Sequence, residues 1–399
     1  MTSFMIMGDM DYQISERQRE MVRTFRGLGE RLFSHDEVLS WQRERGLPDD
    51  VCKQIADLFY SFPENGDHAA TGAFLTQALI MEELSRSAGI SLPFGNDLLN
   101  LLIMREFAAS SQIAPIEEAY RASGRLAFSL AISEPGAGSD TMGMETVVYE
   151  EGGRLVLDGR KTFVVNGEFA PSIMVAAIDK TAPEGRYPAL SFWLVPLNTP
   201  GISAYPIDKI GQKILPFSDV IFEKVVLDPA QKLENSARAG FPQLFHILEV
   251  GRLMVCAQSL GMAQAAMEDA VAHANTRMAF GTNIGSFQQI EQMLVDMEVK
   301  LVNMRNMVYR AAWDLDHSAE GKRLSVALMK RYVPAAATEV VSDALQIFGG
   351  RGYTESERVS WMWQDCRGNQ IAEGTDQIMV RIAAPLLLER YAREEGAGQ

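Results

Sequence analysis

The chain has no apolar run long enough to cross a bilayer, and it contains few of the residues that bind metals or form disulfides. Only three of its 399 residues are cysteines, which lie far apart without CxxC spacing, and the five histidines never pair at metal-ligand spacing. These absences argue against a membrane protein, a disulfide-rich secreted domain and a zinc or iron site. Residues 1–12 also lack the basic cluster and apolar core of a secretory signal. We therefore expect a cytoplasmic protein with buried thiols and no metal.

Basic charge is scarce as well. The net charge is −15, the pI is about 4.9, and no stripe of lysines and arginines stands out. A surface of this kind repels polyanions, so we expect no nucleic-acid partner, although a local pocket of a few cations can still hold a phosphate-bearing ligand. The 47% hydrophobic and 22% charged residues are typical of a globular protein. This length suggests two or three packed units and leaves room for a large cofactor.

The pattern of apolar residues changes twice along the chain. Three- and four-residue steps over residues 13–33 and 74–87 predict helices. Residues 126–233 instead show short apolar or alternating runs broken by turn residues, which predict strands. Helical periodicity returns after residue 240, with few breakers over 253–276 and 287–316. We therefore expect an α+β protein, mostly α, with an N-terminal helical domain (1–125), a central β domain (126–235) and a C-terminal helical bundle (236–399).

Within the central part, the sequence predicts several strands and one hairpin. Residues 154–157 and 161–165 flank Asp158-Gly159, a pair that readily adopts the positive φ angles of a type I′ turn. We expect these two runs to form the arms of the hairpin. Further strands are predicted over residues 172–178, 190–195 and 220–222.

Residues 128–140 run from a predicted strand into a loop rich in glycine and small hydroxyl side chains. Such a loop leaves backbone N–H groups free and lets a flat or phosphate-bearing ligand approach the main chain. An ordinary strand-to-loop turn explains the same residues equally well. The loop by itself therefore leaves both interpretations open.

Five motifs in order resemble those of the acyl-CoA dehydrogenase family. They occupy residues 128–140, 161–167, 277–281, 346–350 and 371–377, and the resemblance covers nearly the whole chain. It implies the fold of that family, with a helical domain, a β-barrel-like domain and a four-helix bundle. It also implies FAD as the cofactor, an acyl-CoA or enoyl-CoA substrate, electron-transferring flavoprotein as the electron partner, and assembly as a homotetramer or dimer.

The resemblance assigns roles to individual residues. Those matching FAD contacts in the family are Leu130, Ile132, Ser133, Phe163, Val165, Arg277, Phe280, Gln288, Gln346, Gly350, Thr375 and Gln377. Those matching substrate contacts are Ser139, Glu249, Arg252 and Gly374. In the family, the segment that begins at Arg277 reaches the FAD of a neighbouring subunit. Spacing alone also allows a surface arginine at 277 and an intrahelical ion pair between Glu249 and Arg252.

Glu373 is the candidate catalytic base. Removal of a proton α to a thioester carbonyl needs a base beside that carbon, and a carboxylate in an apolar pocket can have its pKa raised toward neutrality. Without the family resemblance, a glutamate before Gly-Thr is more often a solvated carboxylate at a helix end. Some family members carry the base directly before the residue matching Arg252, but this chain has Gly251 there. Glu373 therefore has no rival at that position.

Three positions depart from the family pattern. Val165 replaces a frequent Thr or Ser, Leu130 a frequent aromatic residue, and Phe163 a frequent tryptophan. Loss of a hydroxyl near flavin N5 alters the redox tuning of the cofactor. Residues 303–313 also resemble crotonobetainyl-CoA reductase, so an enoyl-CoA reductase is an alternative. A flavin oxidase or monooxygenase, or a non-catalytic assembly or nucleic-acid-binding member of the fold, are further alternatives.

Overall fold

The structure, a computed structural model, describes residues 14–61, 73–125, 128–182, 189–233 and 240–396. Helices come first, then a sheet, then helices again. The N-terminal helices are α1 (Glu16–Leu32), α2 (His35–Glu44), α3 (Asp49–Ser61), α4 (Ala73–Ala88), α5 (Phe94–Phe107) and α6 (Ser110–Ser123). The C-terminal helices are α7 (Phe241–Thr276), α8 (Gln288–Asp316), α9 (Lys322–Phe348), α10 (Arg358–Ile371) and α11 (Asp376–Gly396). The predicted fold class, α+β and mostly α, is confirmed.

One mixed sheet fills the middle of the chain. Its strands are β1 (Phe128–Ala131), β2 (Val147–Glu151), β3 (Arg154–Val165), β4 (Ser172–Asp179), β5 (Leu190–Pro196), β6 (Ile202–Ile207) and β7 (Phe217–Leu227). They lie in the order β1-β4-β2-β3-β7-β6, with β5 paired to β4. β4 runs parallel to β1 and β2, and the other pairs are antiparallel.

The two faces of the sheet contact different cores. Ile173 and Val175 of β4 belong to a cluster formed within the β unit, whereas Met174 and Ala176 belong to the large helical core. Because successive side chains of a strand point to opposite faces, β4 is buried on both sides, and it is apolar from Ile173 to Ile178. The sheet is therefore packed against the helices, and this packing brings the ends of β1 and β3 next to them.

The predicted hairpin at Asp158-Gly159 is wrong. β3 continues through both residues and pairs with β7 along its length, with a register shift at Gly159. The turn lies earlier, at Gly152-Gly153, where both φ angles are positive (61° and 73°) and β2 and β3 pair directly around it. Gly159 instead allows a close approach of strands, since a Cβ there would lie 2.5 Å from Oγ1 of Thr146.

The C-terminal helices pack around α9, which contacts α7, α8, α10 and α11. α7 is buried along most of its length and also packs against α4 and α5 of the N-terminal part. A short two-stranded ribbon, β8 (Met278–Ala279) with β9 (Thr282–Asn283), connects α7 to α8. Among the described residues, no helix is long and apolar enough to cross a membrane. α7 thus joins the two helical parts of the molecule.

The contact between α4 and α7 predicts the effect of a small substitution. A Cβ at Gly261 would lie 2.1 Å from the backbone oxygen of Glu82, and neither helix can move away cheaply. We expect Gly261→Ala to lower the free energy of unfolding by about 2 kcal/mol. Gly27→Ala is the matched control, because Gly27 is exposed on α1 with nothing within 4 Å of its Cβ position. Helix propensity should make that change neutral or stabilising by up to about 1 kcal/mol. Thermal and denaturant unfolding would measure both, and equal effects would contradict the prediction.

Candidate active site

Glu373 lies in the short loop between α10 and α11. It adopts a left-handed backbone conformation (φ 55°), and Gly374 after it has φ 93°. A left-handed conformation is strained for a residue with a side chain, and it persists only where the surroundings impose it. This turn ends α10 abruptly and directs the Glu373 side chain towards α7.

Two buried cations hold this loop from neighbouring helices. Arg252 on α7 donates its Nε to the backbone oxygen of Glu373 at 3.0 Å. Lys330 on α9 is fully buried and donates its Nζ to the backbone oxygens of Gly374 (3.2 Å) and Gln370 (3.4 Å). These hydrogen bonds to charged donors are strong enough to impose the left-handed turn. Arg252 thus bonds the loop, and the ion pair with Glu249 that its spacing allowed is not its hydrogen-bonded contact.

Gly251 provides the space that the Glu373 carboxylate occupies. A Cβ at position 251 would lie 2.4 Å from Oε2 and 2.7 Å from Cδ of Glu373. Any larger residue at 251 must therefore displace the carboxylate or be displaced by it. The sequence showed only that this glycine removes a rival base, whereas the structure shows that it also makes room for Glu373.

The electrostatic surroundings of Glu373 favour its neutral form. Burial raises the pKa of the carboxyl group above its usual range, and the charges of Arg252 and Lys330 oppose this rise without cancelling it. A carboxylate whose pKa is raised in this way is a better proton acceptor than a solvated one. Position 373 is therefore not the solvated helix-end carboxylate that is commoner for such a residue.

Glu373 lines a cavity of about 130 Å³ between the helices and the sheet. The cavity gathers several of the residues predicted to contact FAD, namely Leu130, Ile132, Ser133, Phe163 and Val165. Five further lining residues were not among the predicted contacts: Asp97, Asn100, Phe128, Thr162 and Asn166. Phe128, Thr162 and Asn166 lie within the motifs 128–140 and 161–167, but Asp97 and Asn100 lie on α5, where no motif marks them.

The strand side of this cavity is shaped by an irregular stretch of β3. Phe163 and Asn166 both have positive φ (55° and 57°), and the pairing with β7 shifts register between Lys161 and Val164. A bulge of this kind re-aims a side chain, and it leaves Phe163 facing the cavity, 60% exposed. In a regular strand without the bulge, the Phe163 side chain would not be directed into the cavity in this way.

A buried ion pair fixes the loop after β1. Lys161 donates its Nζ to Glu134 (2.7 Å) and to the backbone oxygen of Ile132 (2.9 Å). Glu134 also accepts the backbone N–H groups of Glu145 and Thr146. Because both charges are buried and satisfied, the glycine-rich loop is locked to β3. This connection holds Ile132 and Ser133 in the cavity wall.

A second pocket, of about 400 Å³, adjoins the first and shares Glu373, Ile132 and Ser133 with it. It gathers all four predicted substrate contacts, Ser139, Glu249, Arg252 and Gly374. Arg323 on α9 and Arg381 on α11 line it too, and sequence reasoning missed both. Three arginines line this pocket together with the carboxylates of Asp140, Glu249 and Glu373, so it offers individual cations to which an anion can bind.

A third pocket, of about 530 Å³, has no lining residue in common with the first two. Arg277 and Gly350 line it together with His273 and Phe348, whose rings stack at 4.3 Å. Three other predicted FAD contacts, Phe280, Gln288 and Gln346, are exposed on the surface of the chain. The predicted FAD contacts therefore fall into two groups, one around Glu373 and one elsewhere on the molecule.

The last two predicted FAD contacts follow Glu373 directly. Thr375 precedes the first residue of α11, and its Oγ1 accepts the backbone N–H of Ile378 at 3.4 Å. Gln377 is exposed on the first turn of that helix. Over the described residues, no group of three or more His, Cys, Asp or Glu side chains is arranged to hold a metal ion.

Comparison with known proteins identifies the relatives of the chain. The family model of the acyl-CoA dehydrogenase C-terminal domain matches residues 238–388, and that of the middle domain matches residues 129–225. The probable acyl-CoA dehydrogenase YdiO of Escherichia coli K12 is 33% identical over 385 residues, which are 96% of this chain and 99% of that protein.

Solved structures give the same result. An acyl-CoA dehydrogenase from Slackia heliotrinireducens is 48% identical, with a TM-score of 0.87 over 96% of this chain and 99% of that one. Butyryl-CoA dehydrogenase from Megasphaera elsdenii is 27% identical, with a TM-score of 0.84 over 95% of this chain and 100% of that one.

The two cations that hold the loop predict a change in the acidity of Glu373. Because the ammonium of Lys330 favours the ionised carboxylate, Lys330→Met should raise the pKa of Glu373 further. Arg331→Met is the matched control, since it removes a half-exposed charge on the same helix that does not contact the loop oxygens. Infrared titration of the carboxyl stretch, referenced to Glu373→Gln, would measure both pKa values. An unchanged pKa in Lys330→Met would show that the ammonium does not act on the carboxylate.

Proposed function

The chain belongs to the acyl-CoA dehydrogenase family, oxidoreductases that act on CH–CH groups, and we propose that it dehydrogenates an acyl-CoA thioester at the α,β bond with FAD as cofactor and Glu373 as base. The observation that carries the proposal is the position of the Glu373 carboxylate. It lies where a cavity with an apolar strand wall meets a larger pocket whose lining includes three arginines, with its pKa raised by burial. A CoA thioester, which is apolar at one end and polyanionic at the other, needs this combination.

The residues of the first cavity fit the flat ring system of FAD. Leu130, Ile132 and Val165 offer apolar contact, and the exposed ring of Phe163 offers a further flat surface. Ser133, Thr162 and Asn166 supply polar groups at the same wall. FAD, when bound, supplies the acceptor for the hydride that leaves the substrate β-carbon. The strand residues would hold the ring system, and Asp97, Asn100 and Glu373 would face the acyl chain.

Glu373 then performs the proton step. Its carboxylate takes the α-proton, and the electron pair of the broken Cα–H bond forms the C=C bond as the β-hydrogen leaves with its own pair. The backbone N–H of Glu373 has no hydrogen-bond acceptor among the described residues, so it is available to the thioester oxygen, where negative charge develops. The hydrogen bonds from Arg252 and Lys330 to the loop hold the carboxylate and the backbone N–H of Glu373 in position during the reaction.

The second pocket provides the binding energy for the CoA moiety. Arg323 and Arg381 can neutralise phosphate groups, and the Ser139 hydroxyl can donate a hydrogen bond. These interactions are local, so they are compatible with an acidic protein. The likeness to butyryl-CoA dehydrogenase supports a short acyl chain.

The third pocket supports a shared cofactor site. Arg277 and Gly350 match FAD contacts of the family but lie away from the cavity of Glu373, and Phe280 beside them is 98% exposed. We propose that this group completes the FAD site of a second copy of the chain in a homotetramer. An exposed phenylalanine at the tip of a short ribbon is unfavourable in water and favourable against a partner.

Electrons leave the cofactor, in this proposal, to electron-transferring flavoprotein. The same groups also serve enoyl-CoA reduction, because proton and hydride retrace their paths when an electron donor is present. Val165 is the specific reason to keep this second direction, since it lines the cavity without a hydroxyl at a position where the family frequently has Thr or Ser.

Replacing the base should separate cofactor binding from chemistry. We expect Glu373→Gln to bind FAD but to slow anaerobic bleaching of the flavin by an acyl-CoA about 10³-fold, because the amide cannot accept the α-proton. Glu150→Gln, which neutralises an exposed carboxylate on β2, should bleach like the unaltered protein. Stopped-flow absorbance gives both rates. Undiminished bleaching by Glu373→Gln would place the base elsewhere, and a protein that takes up no FAD would remove the flavoenzyme proposal.

Mixed oligomers can test the shared site. Glu373→Gln destroys the base and Arg277→Glu destroys the contact to the neighbour's FAD, so each variant alone should be inactive. In a mixed oligomer the intact cavity of one chain meets the intact Arg277 of the other, and we expect activity to return. If both groups instead serve the same chain's cofactor, the mixture stays inactive. Co-expression with two different affinity tags and an acyl-CoA bleaching assay would decide between these outcomes.

A further inference from the structure

Asp97 is a buried carboxyl group on α5 that lines the same cavity as Glu373. Only 4% of its surface is exposed, and among the described residues only the charge of Arg125 acts on its carboxyl group, with no hydrogen bond to it. Asn100, one helical turn further along, lines the cavity as well and is 6% exposed. Residues three apart share a face of a helix, so α5 presents an acid and an amide side by side.

Two other buried acids of this chain, Glu82 and Asp365, have hydrogen-bond donors for their carboxylates. Glu82 accepts hydrogen bonds from Arg305 (3.1 Å) and Tyr309 (2.8 Å). Asp365 accepts the backbone N–H groups of Ser91 and Gln212. Burial of an unpaired polar group costs free energy, so these partners are expected. Asp97 lacks such partners, and it borders a cavity that a ligand is proposed to fill.

We propose that Asp97 and Asn100 form a polar subsite for the substrate, selecting an acyl group that carries a hydrogen-bonding donor beyond the reacting carbons rather than a plain alkyl chain. This inference rests on the proposed function and names its substrate class. Ile132, Phe163 and Val165 line the strand part of the cavity and offer no charged group, whereas α5 contributes an acid with free hydrogen-bonding capacity. A hydroxyl or an ammonium group on the acyl chain supplies the missing partner.

The titratable groups around Asp97 are consistent with either donor. Burial raises the pKa of Asp97 to about 8, against the opposing charge of Arg125. Burial also raises the pKa of Cys52 and of Tyr120, which face Asp97 from α3 and α6, so both are neutral at pH 7. The carboxyl group is therefore mostly protonated in the free protein and can bond a hydroxyl, while an ammonium would favour its ionised form.

Three acyl-CoA compounds of equal chain length test the subsite on FAD-loaded protein: pentanoyl-CoA, ω-hydroxypentanoyl-CoA and ω-aminopentanoyl-CoA. We expect at least one ω-substituted compound to bleach the flavin about tenfold or more faster, per unit concentration, than pentanoyl-CoA. Preference for the amine shows that Asp97 acts as the carboxylate, and preference for the hydroxyl shows that an uncharged donor suffices. Pentanoyl-CoA reacting as fast as or faster than both would overturn the inference.

Variants assign the preference to Asp97. Asp97→Leu should remove the advantage of the ω-substituted compounds and improve reaction with pentanoyl-CoA. Asp97→Asn, which keeps the shape and hydrogen-bonding capacity but cannot ionise, should lose only the preference for the amine, and it replaces the leucine variant if that one does not fold. Glu118→Gln, an exposed change on α6, should keep the ranking of the unaltered protein. An unchanged ranking in both Asp97 variants would overturn the inference. Failure of every acyl-CoA to bleach the flavin would overturn the proposed function itself.

Discussion

The site depends on the contact between the Glu373 loop and the two helices beside it. A left-handed glutamate is unfavourable, and hydrogen bonds from Arg252 and Lys330 to backbone oxygens of the loop compensate for that cost. The same two charges moderate the pKa of the carboxyl group that the loop presents. The same two cations therefore influence both the position of Glu373 and the pKa of its carboxyl group, and replacing either cation should alter both.

That contact in turn requires the packing of the rest of the molecule. α7 carries both Gly251 and Arg252, and it is held between α4 and the C-terminal helices by close backbone approach at Gly261. The sheet forms the opposite wall of the cavity. β4 is buried on both faces, and its pairing with β1 fixes β1 against the helical core. The buried Lys161–Glu134 pair completes that wall by tying the loop after β1 to β3. Three separate parts of the chain thus meet at one carboxylate.

The charge distribution has a consequence for the substrate. Although the chain is acidic as a whole, the pocket next to Glu373 is lined by Arg252, Arg323 and Arg381. Asp140 and Glu249 line the same pocket, so the arginines act as individual cations that can bind phosphate groups of a polyanionic ligand. In the proposal the adjoining cavity accepts the opposite end of the same molecule, with Leu130, Ile132 and Val165 on its strand side and Asp97 on its α5 side.

The sequence alone predicted the order of the secondary-structure elements and several of the strands. Apolar periodicity predicted the order of helices, sheet and helices, and the strand predictions over 172–178 and 190–195 fall within β4 and β5. It misplaced the hairpin, because an Asp-Gly pair serves a bulge as well as a turn and only the pairing with β7 decides which. The resemblance of the ordered motifs to the family selected Glu373 and five residues that line its cavity, because such a resemblance can be recognised without knowledge of the fold.

What the sequence determined by itself is the order of helices, strands and helices and the five ordered motifs, and the class of chemistry came from the resemblance of those motifs to the acyl-CoA dehydrogenase family. The tertiary structure decided the rest. That Gly251 makes room for Glu373, that Lys330 holds the loop, and that Asp97, Arg323 and Arg381 border the same site follow only from helices distant in sequence packing together. Those contacts depend on the direction of each side chain across a packed interface, and a linear pattern of residues does not specify that direction.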